Sequence, residues 1–202
     1  MTRDGRIAAI VLAAGLGSRM GGGKLTAMLD GRPLVCHAAE AALASRADPL
    51  IVVVGHDEEA VRRALAGLPV RFVTNPAYRT GIAGSLAAGI SAVPDTAEGA
   101  VVLLGDMPRI GAGHIDRLIA AFGLEVGRGI CVPTHGGRRG NPVLWARRHF
   151  ARLRALSGDA GGRTLFAASA ADICEVPMAD DSVLVDIDAP EALADAARLD
   201  RG

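Results

Sequence analysis

The stretch Ile7-Ala8-Ala9-Ile10-Val11-Leu12-Ala13-Ala14-Gly15-Leu16-Gly17-Ser18-Arg19-Met20-Gly21-Gly22-Gly23-Lys24-Leu25 decides the fold. Its first eight residues carry no polar side chain and open straight into glycine-rich sequence. The charges ahead of the run give it the outline of a signal peptide, but it is short and leads into glycines rather than a polar mature chain. It reads as a strand, Ile7–Ala13, buried on both faces and feeding a glycine loop, the usual opening of a parallel α/β sheet.

Working outward, apolar runs at 50–54, 71–74, 100–104 and 130–133 read as further strands. Segments with helical spacing lie between them, at 33–44, 58–66, 82–93 and 113–122. Strands apolar on both faces that alternate with helices predict a mostly parallel sheet covered on both sides. After about residue 134 the pattern changes. A Gly/Arg-rich turn at 135–140 precedes a short strand at 143–145, helices near 146–156 and 161–170, strands near 173–176 and 183–186, and a last helix from Pro190. The expectation is one domain over 1–202, a Rossmann-like three-layer α/β/α sandwich with an elaborated C-terminal part.

Composition narrows the class of partner. The 202 residues carry 22 basic and 22 acidic side chains and no formal net charge, which argues against a general nucleic-acid or anionic-membrane binder. Aromatics make up 3%, so the core is built of Ala, Val, Leu and Ile. Cys36, Cys131 and Cys174 are few, odd in number and widely spaced, which fits a reducing compartment rather than a disulfide framework. No apolar stretch approaches the roughly 18 residues of a membrane span. The expected location is the cytoplasm. Of the 22 basic residues a single one, Lys24, is lysine, and it sits in the glycine loop.

Glycines after the first strand let backbone N–H groups approach phosphates closely. A Walker loop is excluded, because Gly23-Lys24 is followed by Leu25 and the position five before Gly23 is Ser18. A dinucleotide fingerprint would be a loose variant, would start a helix inside three consecutive glycines, and gives Arg19 and Lys24 no role. The remaining option is a loop that wraps a nucleoside triphosphate, with Arg19 and Lys24 neutralising its phosphates.

Leu12-Ala-Ala-Gly15, then Arg19-Met-Gly21, then Lys24 resembles the signature of the GT-A-like nucleotidyltransferases, and within them the molybdenum cofactor cytidylyltransferases and guanylyltransferases. The resemblance implies a nucleotide-binding part over about 1–133 and an acceptor-side part over about 134–202. It implies that Leu12, Ala13, Ala14, Gly15 and Gly17 contact the nucleotide through the loop, with Arg19 and Lys24 on its phosphates. Gly105-Asp106-Met-Pro108 matches the family's metal motif, so Asp106 is implied as a ligand of Mg²⁺, with Mn²⁺ as an alternative. An Asp just past a buried parallel strand also lies where such sheets bind ligands, although it can equally cap the turn before Pro108.

Asp186-Ile187-Asp188 resembles a second acidic segment of the family, departing from it at Ala189, where Thr is usual. Asp188 is favoured over Asp186 as a second metal ligand, and it can also serve as N-cap of the helix that follows. Asn75, Gly81 and Ser85 match positions that the family places near the nucleotide, and small residues there would also let a helix pack closely on the sheet. Asn141 and Asp159 resemble acceptor-side positions. Arg138, Arg139 and Arg163 are candidates for an acceptor phosphate. The five histidines show no zinc spacing.

These readings converge on a Mg²⁺-dependent nucleotidyltransferase. The terminal phosphate of a molybdopterin-type acceptor would attack the α-phosphorus of a nucleoside triphosphate and release pyrophosphate. Leu-Ala-Ala-Gly, rather than Leu-Ala-Gly-Gly, resembles the cytidylyl branch and so implies CTP. The implied partners are the nucleoside triphosphate, the phosphate-bearing acceptor and a molybdoenzyme that receives the product, with no nucleic acid and no membrane. The rivals are a sugar-1-phosphate or other small phosphate as acceptor, a non-catalytic cofactor chaperone, and an NAD(P) oxidoreductase.

Overall fold

The computed structural model of the chain describes residues 6–16, 23–123 and 127–187. The Ile7–Ala13 run forms β1. Past the glycine loop, β2 (Met28–Leu29) and β3 (Arg32–Pro33) make a minimal antiparallel hairpin. It delivers α1 (Leu34–Leu43), followed by β4 (Leu50–Val54), α2 (Glu58–Ala64), β5 (Arg71–Thr74), α3 (Ile82–Ser91), β6 (Gly99–Leu104) and α4 (Ala112–Ala121). The C-terminal third contributes β7 (Ile130–His135), β8 (Arg138–Arg139), β9 (Val143–Ala146), α5 (Phe150–Arg154) and β10 (Ile173–Pro177). Among the described residues no helix is long and apolar enough to cross a membrane.

The main sheet runs β10-β7-β9-β6-β1-β4-β5, with β8 pairing to β7. β1 is parallel to both β6 and β4, and β4 is parallel to β5. β9 enters antiparallel between β6 and β7, so the sheet is mixed but mostly parallel. The alternation of β1 separates two cores. Ile7, Ala9, Val11 and Ala13 face a layer carrying α1, α2 and α4, through Val35, Val61 and Leu118. Ala8 and Ile10 face the opposite layer of α3 and α5, through Leu86, Ile90, Phe150 and Leu153. Successive strand residues point to opposite faces, so a strand apolar at every position needs a helical layer on each side. The result is the single-domain three-layer sandwich expected from the alternation.

The C-terminal third departs from the simple reading in two places. The expected strand at 183–186 is a 3₁₀ turn, Ser182–Leu184, followed by irregular chain. The backbone groups of this segment pair off the sheet: Asn141 N–H donates to Val183 C=O, and Ile187 N–H donates to Asp106 C=O. The segment thus crosses the carboxyl end of β6 instead of lying alongside a strand. The expected helix at 161–170 is two 3₁₀ turns, Gly162–Leu165 and Ala167–Asp172, broken where Ser169 leaves helical geometry. Ser169 Oγ accepts from Arg152 Nη1 at 2.8 Å, and the indole of Trp145 sits so close to Gly162 that it leaves no room for a Cβ. The helix expected from Pro190 lies outside the described residues.

Candidate active site

Parallel strands β1, β4, β5 and β6 all end at one edge, and a cleft of about 430 Å³ opens there. The loop after β1 forms its floor with Leu12, Ala14, Gly15 and Leu16. The end of β6 contributes Leu104 and Asp106, the turn after the glycine loop Lys24 and Leu25, and the start of α3 Gly81, Ile82 and Ser85. Asp159 reaches the same cleft from the C-terminal third. Ligands of open α/β sheets bind at this edge because loops diverge there and leave a crevice.

Gly105 ties two of these elements together, its N–H donating to Leu12 C=O at 3.0 Å. Asp106 follows immediately, and its Oδ2 accepts from Lys24 Nζ at 2.6 Å, with the two side chains 20% and 11% exposed. Its other oxygen, Oδ1, is buried and has no hydrogen-bond partner among the described residues. An unsatisfied buried carboxylate oxygen is costly and marks a place where a donor or a cation belongs. Mg²⁺ takes one or two carboxylates and completes its shell with water and substrate phosphates, so this single oxygen fits such an ion. No group of three or more His, Cys, Asp or Glu that could hold a metal occurs among the described residues. Asp186 is exposed on the segment that abuts Asp106 through Ile187, while Asp188 lies outside the described residues. Gly17 and Arg19 also lie outside them.

On the base side, the structure brings Asn75 and Ser85 together. Asn75 Nδ2 donates to Ser85 Oγ at 3.0 Å, and Asn75 Oδ1 accepts from Ala77 N–H at 3.0 Å. Asn75 is buried and does not line the cleft, whereas Ser85 does. Asn75 therefore holds Ser85 and the turn between β5 and α3 in place. Gly81 has φ +112°, and a Cβ there would meet Asp159 N at 2.7 Å and overlap the Gly158 carbonyl. Gly158 C=O accepts from Ala83 N–H at 3.1 Å, so the Gly158–Asp159 peptide is seated on the first turn of α3. Asn141 sits beside Val183, close to the carboxyl end of β6, without lining the cleft.

Sequence reasoning missed Tyr78, Arg79, Ile82 and Leu25, all of which line the cleft. Tyr78 is the only tyrosine of the chain and lies between Asn75 and Gly81, two positions already singled out, which was the available signal. Gly55 has no room for a Cβ against Tyr78 and Ala14, so this glycine lets the tyrosine approach the loop. The Arg79 guanidinium stands 5.3 Å from the centre of the Tyr78 ring, within cation–π range.

The Lys24–Asp106 pair thus sits at the carboxyl end of a parallel strand, at the ligand-binding edge of an α/β fold. The chain belongs to the MobA-like NTP transferase domain family, whose profile matches residues 9–173. It is similar to the solved structure of a homologue of Mycobacterium tuberculosis Rv0371c from Mycobacterium sp. strain JC1, with a TM-score of 0.82 and 30% identity over 96% of this chain and 98% of that one. Rv0371c of M. tuberculosis H37Rv, solved as a complex with manganese, superposes with a TM-score of 0.80 at 26% identity, covering 96% of this chain and 98% of that one. Among curated relatives, the bifunctional protein GlmU of Pelobacter propionicus is 34% identical over 143 residues, 70% of this chain and 30% of that protein. The chain spans between 25% and 35% of the length of two other curated GlmU relatives that it matches.

Proposed function

We propose that the protein transfers a nucleoside monophosphate, CMP from CTP, to the terminal phosphate of a molybdopterin-type acceptor and releases pyrophosphate. The observation that carries this reading is Asp106, whose one oxygen is held by Lys24 while the other is buried in the cleft without a partner among the described residues. The Leu12-Ala-Ala-Gly15 form of the loop supports CTP over GTP by its resemblance to the cytidylyl branch.

In this reading residues of about 1–133 bind the nucleotide and those of about 134–202 the acceptor. The loop from Leu12 to Gly17 cradles the nucleotide through its backbone, and Arg19 and Lys24 neutralise phosphate charge. Ser85 and Gly81 line the base side, with Asn75 fixing Ser85. Asn141 and Asp159 serve the acceptor side. Asp106, together with Asp188, would hold a divalent ion, Mg²⁺ or Mn²⁺, and that ion would supply charge neutralisation at the transferring phosphate. The acceptor phosphate is already anionic near neutral pH, so no protein nucleophile is required. Its oxygen forms the new bond to the α-phosphorus as the bond to the β-phosphate oxygen breaks. The chain's own contribution is positioning and electrostatic stabilisation. The reaction belongs in the cytoplasm, in keeping with three free cysteines, and the product would pass to a molybdoenzyme.

A second reading replaces the acceptor with a sugar-1-phosphate or another small phosphate, since the curated relatives carry the name GlmU. The test is a thermal-shift panel of CTP, GTP, ATP, UTP and NADPH, each with and without Mg²⁺. A shift specific to CTP and dependent on Mg²⁺ is expected, and stabilisation by NADPH alone would overturn the reading. Pyrophosphate release on adding molybdopterin then separates an enzyme from a cofactor chaperone. Release with a sugar-1-phosphate instead would select the second acceptor.

A further inference from the structure

Asp57 occupies the N-cap position of α2, where an aspartate ordinarily accepts from an amide of its own helix's first turn. Here it makes no such bond. Its backbone is in the left-handed region, with φ 53° and ψ 30°, and its carboxylate lies 3.4 Å from His56 Nε2. Asp57 Oδ2 accepts instead from Gly23 N–H at 3.0 Å, across 34 residues of sequence.

Gly23 is the last glycine before Lys24 and is also left-handed, with φ 67°. Its carbonyl is held from the other side, by Thr26 N–H at 3.1 Å and by Thr26 Oγ1 at 3.0 Å. Both polar groups of the Gly23 backbone are therefore fixed, and the 3₁₀ turn Lys24–Thr26 starts from that fixed point. Lys24 leaves it toward Asp106. Asp57 is outside the main cleft and lines, with Gly23 and Lys24, a small recess beside it.

We infer that Asp57 is a positioning residue for the phosphate-facing loop: it gives up its helix cap to anchor the Gly23 amide, and so sets the direction in which Lys24 enters the nucleotide site. This rests on the nucleotidyltransferase reading for its consequence in binding, but the anchor itself is a property of the chain alone. A charge-assisted hydrogen bond to a backbone N–H is among the stronger kinds. Its loss releases the end of a segment that already contains three glycines, the residue type with most conformational freedom to lose.

The test compares Asp57→Asn, which keeps an acceptor oxygen and tolerates the left-handed backbone, with Asp57→Gly, which keeps the backbone conformation and removes the acceptor. Two readouts are taken, amide hydrogen exchange at Gly23 and the affinities for Mg·CTP and CMP. Asp57→Gly should expose Gly23 to exchange and weaken Mg·CTP by about tenfold, one hydrogen bond's worth, while changing CMP by less than about threefold. Asp57→Asn should retain protection and lie within about threefold of wild type for Mg·CTP. The split between CTP and CMP is what a merely structural loss would not produce. Unchanged Gly23 exchange in Asp57→Gly overturns the anchor, and an equal loss for CTP and CMP overturns its role in directing Lys24. If wild type binds no nucleoside triphosphate, the nucleotidyltransferase reading fails while Gly23 exchange still decides whether Asp57 holds the loop.

Discussion

Lys24 and Asp106, 82 positions apart in sequence, meet at 2.6 Å just past the end of β6. The pair is mostly shielded from water and leaves Asp106 Oδ1 without a partner among the described residues. A carboxylate aimed only at stabilising the fold would have both oxygens satisfied.

Replacing either member should therefore separate activity from stability. Lys24→Ala and Asp106→Asn are each expected to lower kcat by about 10² or more, the scale of one lost charge-stabilising group. Initial rates of pyrophosphate release measure this, with thermal melting as the control for folding. Turnover within about threefold of wild type in both variants would remove the pair from the mechanism.

The proposed function makes metal dependence an expected outcome at the same oxygen. Removing divalent ions with a chelator should abolish turnover, and Mg²⁺ or Mn²⁺ should restore it. The nucleotide-induced thermal shift should weaken in parallel. In Asp106→Asn the amount of Mg²⁺ needed for half-maximal rate should rise, because an amide oxygen is a poorer ligand for a hard cation than a carboxylate.

Gly81 couples the two sides of the cleft through the Gly158–Asp159 peptide. A methyl at Gly81 would overlap that peptide, and φ +112° is a conformation L-residues rarely adopt. Gly81→Ala should destabilise the protein by about 1–3 kcal/mol in urea denaturation. It should also raise KM for the acceptor more than KM for the nucleotide, since Asp159 is what must move. Gly161 offers the control, because a Cβ there meets nothing within 4 Å and its φ is −82°. Gly161→Ala should change stability by less than about 0.5 kcal/mol.

Asp172 closes the far end of the molecule and gives it an acid-sensitive joint. Its carboxylate accepts from Arg148 Nε at 2.8 Å and Nη2 at 2.7 Å, lies 2.6 Å from His149 Nε2, and accepts from the amides of Gly127 and Gly129. Arg148 above all, then His149 and the two amides, hold its carboxyl well below the ordinary value of 3.8, against the opposing effect of burial. A carboxyl depressed on folding contributes stability above its unfolded pKa and loses it as pH falls toward the folded one. Asp172→Asn should lower stability at pH 7 by about 2–3 kcal/mol, the scale of hydrogen bonds to a charged group. The gap from wild type should narrow steadily as pH is lowered below 3.8. A gap independent of pH would assign the loss to packing.

Apart from the β2–β3 hairpin, the first two thirds of the fold were legible because the strands are short, largely apolar runs and the helices separate segments with helical spacing. Ile7–Ala13, Leu50–Val54 and Arg71–Thr74 form strands with the expected ends. The last third was harder because its elements are fixed by contacts that local pattern does not carry. Val183 and Ile187 look like strand residues, yet their backbone partners are Asn141 and Asp106. Segment 161–170 reads as one helix, yet it is two 3₁₀ turns, the first packed by Gly162 against Trp145 and the second kinked at Ser169, which Arg152 contacts. In the cleft, Lys24 and Asp106 stood out through motif and spacing. Tyr78 did not, and neither did Asp57 outside the cleft, whose bond to Gly23 spans 34 residues that no local pattern connects.

Two helical glycines provide opposite outcomes from the same substitution. Gly89 lies on the face of α3 that meets β1 and β4, where a Cβ would stand 2.6 Å from Ile10 Cγ2 and 3.0 Å from Val53 Cγ2. Both neighbours are fully buried, so neither can give way without disturbing the sheet. Gly113, in the first turn of α4, is exposed and a Cβ there would meet nothing within 4 Å. Gly113→Ala should stabilise the protein by up to about 0.5–1 kcal/mol, the helix preference of Ala over Gly. Gly89→Ala gains the same preference but overpacks the interface, and should destabilise by about 1–3 kcal/mol. Urea midpoints of the two variants, measured side by side, check this. Stabilisation by both would mean that α3 rides loosely on the sheet, and the close approach that brings Ser85 into the cleft would then need another cause.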